Sequence, residues 1–266
     1  MKPLSELSSR EAARLVAVAT DLDDTVLDHG RLGVDALTAI SLLGDAGLDV
    51  LIATGRPLGW AEVVCRLLPV AAVLAENGAC AAVRDGARVV TRFRATEAER
   101  RSRSARLDAL VAELLARVPS ARVTDDAWMR ATDRTFDVGE TWRAPAEHVA
   151  ELIAIAAARE ARTSVSSVHL HVTFEGDDKA SGIAWLAREL FSLDPTAARA
   201  RVAFVGDSGN DAAAFAGFET TFGVANVRLA RGLSVPPRYV ARRERGLGFA
   251  EITRAIVDAR ARERAR

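Results

Sequence analysis

Five acids at the ends of apolar runs give the chain its chemistry. The run Leu15–Thr20 leads into Asp21-Leu22-Asp23-Asp24-Thr25, and the run Val202–Val205 into Gly206-Asp207-Ser208-Gly209-Asn210-Asp211. In an extended segment, residues two apart point to the same side, so Asp21 and Asp23 share a face. Carboxylates crowded together repel unless a cation neutralises them, and an all-oxygen ligand set suits Mg²⁺. Capping of a turn by Asp24 or Thr25 accounts for one such acid but not for three directly after a buried strand. A third apolar run ends in Thr54-Gly55-Arg56. There a hydroxyl, closely spaced N–H groups and the open approach of Gly55 suit a phosphate oxygen, although Thr-Gly after a strand also serves as an ordinary turn. Of 36 basic residues only Lys2 and Lys179 are lysines. Where arginine is used almost everywhere, an internal lysine points to work that a planar guanidinium does not do, such as a point charge shared by a carboxylate and a phosphate. A solvated surface lysine is the plain alternative.

Groups from distant segments need a scaffold, and the pattern supplies one. Leu15–Thr20, Leu48–Ala53 and Val70–Ala75 read as buried strands. Helical spacing over Val34–Ala46, closed by Gly47, and a helix running through Leu68 separate them. The last third repeats this with helices over Ile183–Phe191 and Asp211–Phe218, a strand at Val202–Val205, strands near Phe222 and Tyr239, and a helix from Phe249 into a solvated, arginine-rich tail, Arg260–Arg266. Strands alternating with helices imply a parallel sheet covered on both faces, with ligands beyond the carboxyl ends of the strands.

The middle differs. Strand candidates at Ala87–Phe93, Ala121–Val123, Trp128–Val138 and Thr163–Phe174, with helices at Thr96–Val118 and Ala144–Ala161, read as an α+β unit. The expected fold is therefore α/β: a doubly wound, mostly parallel, Rossmann-like core of residues 1–81 and 178–266, with an α+β cap inserted at 82–177. Strict alternation from Ser167 to Phe174 puts Val168, Leu170, Val172 and Phe174 on one face and His169, His171 and Thr173 on the other. Because this strand runs into Glu175 and Lys179, its polar face is expected close to the acid cluster, offering neutral donors and acceptors to a bound ligand. A solvent-facing strand is the plain alternative, and no third ligand completes a zinc site.

Lys+Arg and Asp+Glu are both 36, so net charge is zero, which argues against a chain built to ride on nucleic acid or an anionic membrane. No apolar run approaches a membrane span or a signal-peptide core. Cys65 and Cys80 make neither a disulfide framework nor a metal spacing. The expected setting is the cytoplasm.

DLDDT, ATGR, an internal lysine and GDSGND, in this order, resemble the haloacid dehalogenase superfamily of phosphohydrolases. The 125 positions from Thr54 to Lys179 resemble the subclass (IIB) with a large α+β cap after the third strand, which includes many sugar phosphatases. Asn77-Gly78 resembles its hinge. The resemblance implies that Asp21 is the nucleophile and that Asp23 protonates the leaving oxygen and then activates water. It implies that Thr54, Gly55, Lys179 and Asn210 hold phosphoryl oxygens. It also implies Mg²⁺ on the Asp21 carboxylate, the Asp23 main-chain oxygen and Asp207, with Asn210 and Asp211 orienting that shell. Arg56, Asn77, His169 and His171 are candidates for contact with a small phosphorylated metabolite. Two positions depart from the family pattern: Asp24 stands where glycine is common, and alanine follows Lys179. A phosphomutase of the same fold is the competing enzyme. A non-catalytic sugar-phosphate-binding protein is expected to lack Asp21, Asp23 or Lys179, all of which are present.

Overall fold

Short runs that are apolar on both sides fill the centre of the main sheet. The computed structural model describes every residue except Ser167, Arg231 and Arg266, so the expectations for Ser167 and Arg266 lie outside the described residues. Besides the two-residue strands Lys2–Pro3, Leu27–Asp28 and Arg31–Leu32, the strands in chain order are β1 (Ala17–Thr20), β2 (Asp49–Ala53), β3 (Ala72–Ala75), β4 (Cys80–Asp85), β5 (Arg88–Phe93), β6 (Asp133–Asp137), β7 (Arg162–Val165), β8 (His169–Thr173), β9 (Val202–Gly206), β10 (Thr220–Gly223) and β11 (Tyr239–Val240). The main sheet runs Lys2–Pro3, β11, β10, β9, β1, β2, β3, β4, β5. It is parallel as far as β3 and antiparallel from there to β5.

Helices cover both faces. On one lie α1 (Ser9–Arg14), α2 (Val34–Asp45), α3 (Leu58–Leu67) and, from the far end of the chain, the helix Arg245–Arg264. The other carries Lys179–Phe191, Pro195–Arg201 and Ala212–Gly217. The chain winds outward from β1 in both directions, through β2 and β3 on one side and β9 to β11 on the other. A crevice therefore opens where the carboxyl ends of β1 and β9 part.

The inserted unit has its own core. Helix α4 (Glu97–Arg117) starts with a capping box between Thr96 and Glu99 and packs beside α5 (Ala146–Ala158). Leu107, Leu110, Leu114, Leu152 and Ile155 from these helices enclose Phe136, Leu170 and Val172 of an antiparallel sheet ordered β7, β8, β6. Burying each such side chain contributes about 1.5–3 kcal/mol. The later helices are α6 (Lys179–Phe191), α7 (Pro195–Arg201), α8 (Ala212–Gly217) and α9 (Arg245–Arg264).

Several expectations change. The strand at 87–93, assigned to the cap, pairs instead with β4 at the edge of the main sheet, so core pairing continues past residue 82 to Phe93. Asp85-Gly86 explains this: Gly86 at φ +56° makes the turn of a hairpin, and a hairpin must return antiparallel. Within Trp128–Val138 only Asp133–Asp137 is a strand, preceded by a 3₁₀ turn at Ala127–Met129. Ala121–Val123 contributes one bridge, Val123 to Phe136. Thr163–Phe174 is a pair of strands, β7 and β8, in place of one. In the tail, Arg260 is buried and donates to the Ala12 and Leu15 carbonyls at 2.9 and 2.8 Å, so the helix end is anchored rather than solvated there. Among the described residues no helix is long and apolar enough to cross a membrane.

Candidate active site

Asp21 continues β1 by one residue, its N–H donating to Val205 of β9 at 2.8 Å, so its carboxylate stands in the crevice. Lys179 reaches the same point from the first residue of α6. A cation is disfavoured at a helix N-terminus, so it needs partners. They are Asp21 Oδ1 at 2.6 Å, Asp211 Oδ1 at 2.7 Å and Asn210 Oδ1 at 3.5 Å. Burial by itself would favour the neutral amine, but Asp21 and Asp211 more than offset that and hold the ammonium above its ordinary value. Two glycines set the approach. A Cβ on Gly78 (φ +120°) would lie 2.3 Å from the Asp178 carbonyl, and one on Gly182 would lie 2.6 Å from Leu74 Cδ2. Only their absence lets α6 pack close enough for Lys179 to reach Asp21.

Asp211 is fully buried and ties down its own loop, since Oδ2 accepts from the Asp207 and Ser208 N–H groups at 2.9 and 3.1 Å. Carboxylate oxygens of Asp21, Asp207 and Asp211 lie within 4.8 Å of one another. Three acids against one ammonium leave the cluster short of positive charge. Burial, only partly offset by Lys179 and reinforced by the neighbouring acids, raises Asp21 well above the usual carboxylate range. Burial and Asp211 push Asp207 up to about 7. An all-oxygen set with this charge deficit fits a hard dication.

Asp23 and Arg56 form a second group. Arg56 donates to both Asp23 oxygens, Nε to Oδ2 at 2.9 Å and Nη2 to Oδ1 at 2.7 Å, and lies over the Trp60 ring. Thr54 is buried at the end of β2, its hydroxyl accepting from the Arg56 N–H at 3.1 Å. Asn77, at φ +56°, donates from its N–H to the Thr54 carbonyl at 3.1 Å and sets its side chain against Gly55. His171 also adjoins Gly55, but it is buried and bonded through Nδ1 to Asp133 Oδ2 at 2.8 Å. His169 stands further out, with Nε2 2.7 Å from Glu140 Oε2. The two histidines therefore do not form a solvent-facing surface, because each is committed to a carboxylate.

Residues not singled out from the sequence seat the cap on this loop. Arg130 spans Asp133 at 2.9 Å and the Gly55 carbonyl at 3.1 Å. Burial opposes charge on Asp133, but Arg130 and His171 more than offset it and hold Asp133 below its ordinary value. Glu76, at φ +48° beside the expected hinge, accepts from Leu58 N, Ala131 N, Thr132 N, Thr132 Oγ1 and Asp133 N at 2.6–3.1 Å. The available sequence signal for Glu76 is an acid directly after an all-apolar strand, the cue that marked Asp21.

A family model for haloacid dehalogenase-like hydrolases matches residues 18–99. A phosphoglycolate phosphatase of Pyrobaculum neutrophilum is 29% identical over 243 residues, which cover 90% of this chain and 95% of that one. Among solved structures, a Thermoplasma acidophilum protein superposes with a TM-score of 0.72 at 19% identity over 91% of this chain and 98% of that one. The sucrose-phosphatase of Synechocystis, solved with sucrose and phosphate, gives 0.65 at 16% over 91% and 98%. At such identities the structural likeness speaks for the fold.

Proposed function

We propose, for a chain that belongs to the haloacid dehalogenase-like hydrolases, a phosphatase reaction through an aspartyl-phosphate on Asp21. The carrying observation is Lys179 Nζ held 2.6 Å from Asp21 Oδ1 among three clustered acids. A carboxylate attacks a phosphoryl group only if mutual repulsion is neutralised. Asp21 attacks phosphorus, the bond from phosphorus to the ester oxygen breaks, and Asp23 gives that oxygen its proton. Asp23 then takes a proton from the water that attacks the aspartyl-phosphate, returning Asp21 and releasing phosphate. Thr54, the Gly55 N–H and Lys179 hold the phosphoryl oxygens, and Asn210 borders them. Mg²⁺ on the Asp21 carboxylate, the Asp23 main-chain oxygen and Asp207 would supply the remaining charge neutralisation. Arg56 releases Asp23 when the leaving group enters, since one carboxylate does not serve a bidentate ion pair and a proton transfer together.

The leaving group on this reading is small and hydroxylated, as in a sugar phosphate. Arg130, His171 and His169 next to the loop already have carboxylate partners (Arg130 with Asp133, His171 with Asp133, His169 with Glu140), which suits neutral hydroxyls better than a second anion. A phosphoglycolate substrate is the second reading. It is favoured by the named relative and by Arg56, which becomes free for a carboxylate once it leaves Asp23. Steady-state rates with Mg²⁺ on p-nitrophenyl phosphate, hexose phosphates and phosphoglycolate test both. Activity on none of them, or undiminished activity in EDTA, would overturn the proposal, and the ratio of kcat/KM values chooses the leaving group.

A further inference from the structure

Asn226 has no part in the reaction above, yet it is bonded to the acid cluster. It lies in a 3₁₀ turn, Ala225–Leu229, just after β10. Gly223 makes that turn possible, since a Cβ there would lie 2.7 Å from Pro237 and Val227 side-chain carbons. The amide is fully used. Nδ2 donates to Asp207 Oδ2 at 2.9 Å and to the Asp24 carbonyl at 3.0 Å, while Oδ1 accepts from the Arg245 N–H at 3.1 Å. The reverse amide orientation would set oxygen against two acceptors and NH₂ against a donor, so the partners determine which way it points.

The same node holds the loop after β1. Asp24 stands at φ +54° and Arg245 at φ +49°, and Arg245 Nε donates to Asp24 Oδ1 at 3.0 Å. The other oxygen of Asp207 accepts from the buried Thr25 hydroxyl at 3.3 Å. Each Asp207 oxygen thus has one fixed donor on the protein side and keeps a lone pair for a cation. Asn226 joins the Asp207 side chain to the turn that carries the Asp23 carbonyl, two groups that come from strands on either side of the crevice.

We infer that Asn226 is a positioning residue for the cation site, holding Asp207 and the Asp23–Asp24 turn at the separation that one dication spans. The inference rests on the magnesium reading above. Outer-shell partners of this kind are typically worth 10–100-fold in metal affinity. Calorimetric titration of Mg²⁺ into the full-length protein without substrate tests it. Asn226→Ala should weaken Mg²⁺ binding by about tenfold or more and shrink the Mg²⁺-induced rise in Tm. Its kcat should recover substantially at high Mg²⁺, because the reacting groups are intact. If that variant does not fold, Asn226→Ser, which keeps a polar turn residue but cannot reach Asp207, takes its place with the same expectation. Mg²⁺ affinity within about twofold of wild type in a folded variant, or a loss of kcat that Mg²⁺ does not restore, overturns the inference. Absence of Mg²⁺ binding in the wild-type protein removes the magnesium reading itself, a different result from a variant that binds as wild type does.

Discussion

Removing Glu76 should loosen the cap from the core more than any other single change at their contact. Its two oxygens receive five donors, four of them from Ala131, Thr132 and Asp133 in the cap and one from Leu58 in the core. Bonds to a charged acceptor are worth about 1.5–3 kcal/mol each, so a plain sum would exceed about 7 kcal/mol. Two effects reduce it: the variant no longer buries a charge, and residues 131–133 can swing toward water. Burial is the main reason that Glu76 is raised above its ordinary value, so its ionised form carries a real desolvation cost. Truncating one partner of a buried charged network typically costs about 3–5 kcal/mol, the net expected for Glu76→Ala. At about 2–4 °C per kcal/mol in a chain of this size, Tm should fall by about 6–20 °C. Glu76→Gln keeps one acceptor oxygen but turns an NH₂ toward donors, so it should fall between the two. Urea unfolding followed by tryptophan fluorescence reads the cap through Trp128 and Trp142 and the core through Trp60 and Trp185. A loss below about 1 kcal/mol for Glu76→Ala would refute the reasoning, because five donors, four of them buried, cannot lose a charged acceptor so cheaply unless the cap is not seated on Glu76.

Asp21→Asn should lower kcat by about a thousandfold or more, and retention of a tenth of the activity in protein checked for deamidation by mass spectrometry would exclude a covalent role. Lys179→Arg should cost about a hundredfold in kcat/KM, because a planar fork does not fit between Asp21 and Asp211; near-normal kinetics would return the lysine to a purely structural place. Without metal, the pH dependence has a definite sign. Asp207 sits at about 7 and Asp21 is also raised, against ordinary values near 3.8, so between these limits the folded chain binds protons that the unfolded chain does not. Metal-free stability should therefore fall as pH rises through that window. Mg²⁺ holds the carboxylates ionised, so its stabilisation should be larger at about pH 8 than at about pH 5.5. Equal Mg²⁺ shifts at both pH values in scanning calorimetry would contradict this.

Asp21, Lys179, Asp207 and Asp211, which the fold brings together, were legible as candidates, as were Asp23 and Thr54, because each follows an apolar run or breaks the chain's own habit, and such local cues survive without coordinates. The doubly wound arrangement was legible for the same reason, since buried strands and amphipathic helices each have a period of their own. The antiparallel β4–β5 edge was open to reading at Asp85-Gly86, but the same residues could equally have begun the cap, and only the pairing of Cys80 with Phe93 decided between them. Tertiary structure brought Glu76, Arg130, Asp133 and Asn226 to the candidate site, and of these only Glu76 carried a cue in the sequence. Glu76 meets its cap partners 55 to 57 positions away, and Asn226 meets Asp24 across 202. It also gave His169 and His171 their carboxylate partners, Glu140 and Asp133, because alternation fixes the face a side chain takes and not the carboxylate that waits there. A hydrogen bond is set by angle and distance to within tenths of an ångström. Strand period and residue type carry no such information, and it comes into being only when the cap closes on the core.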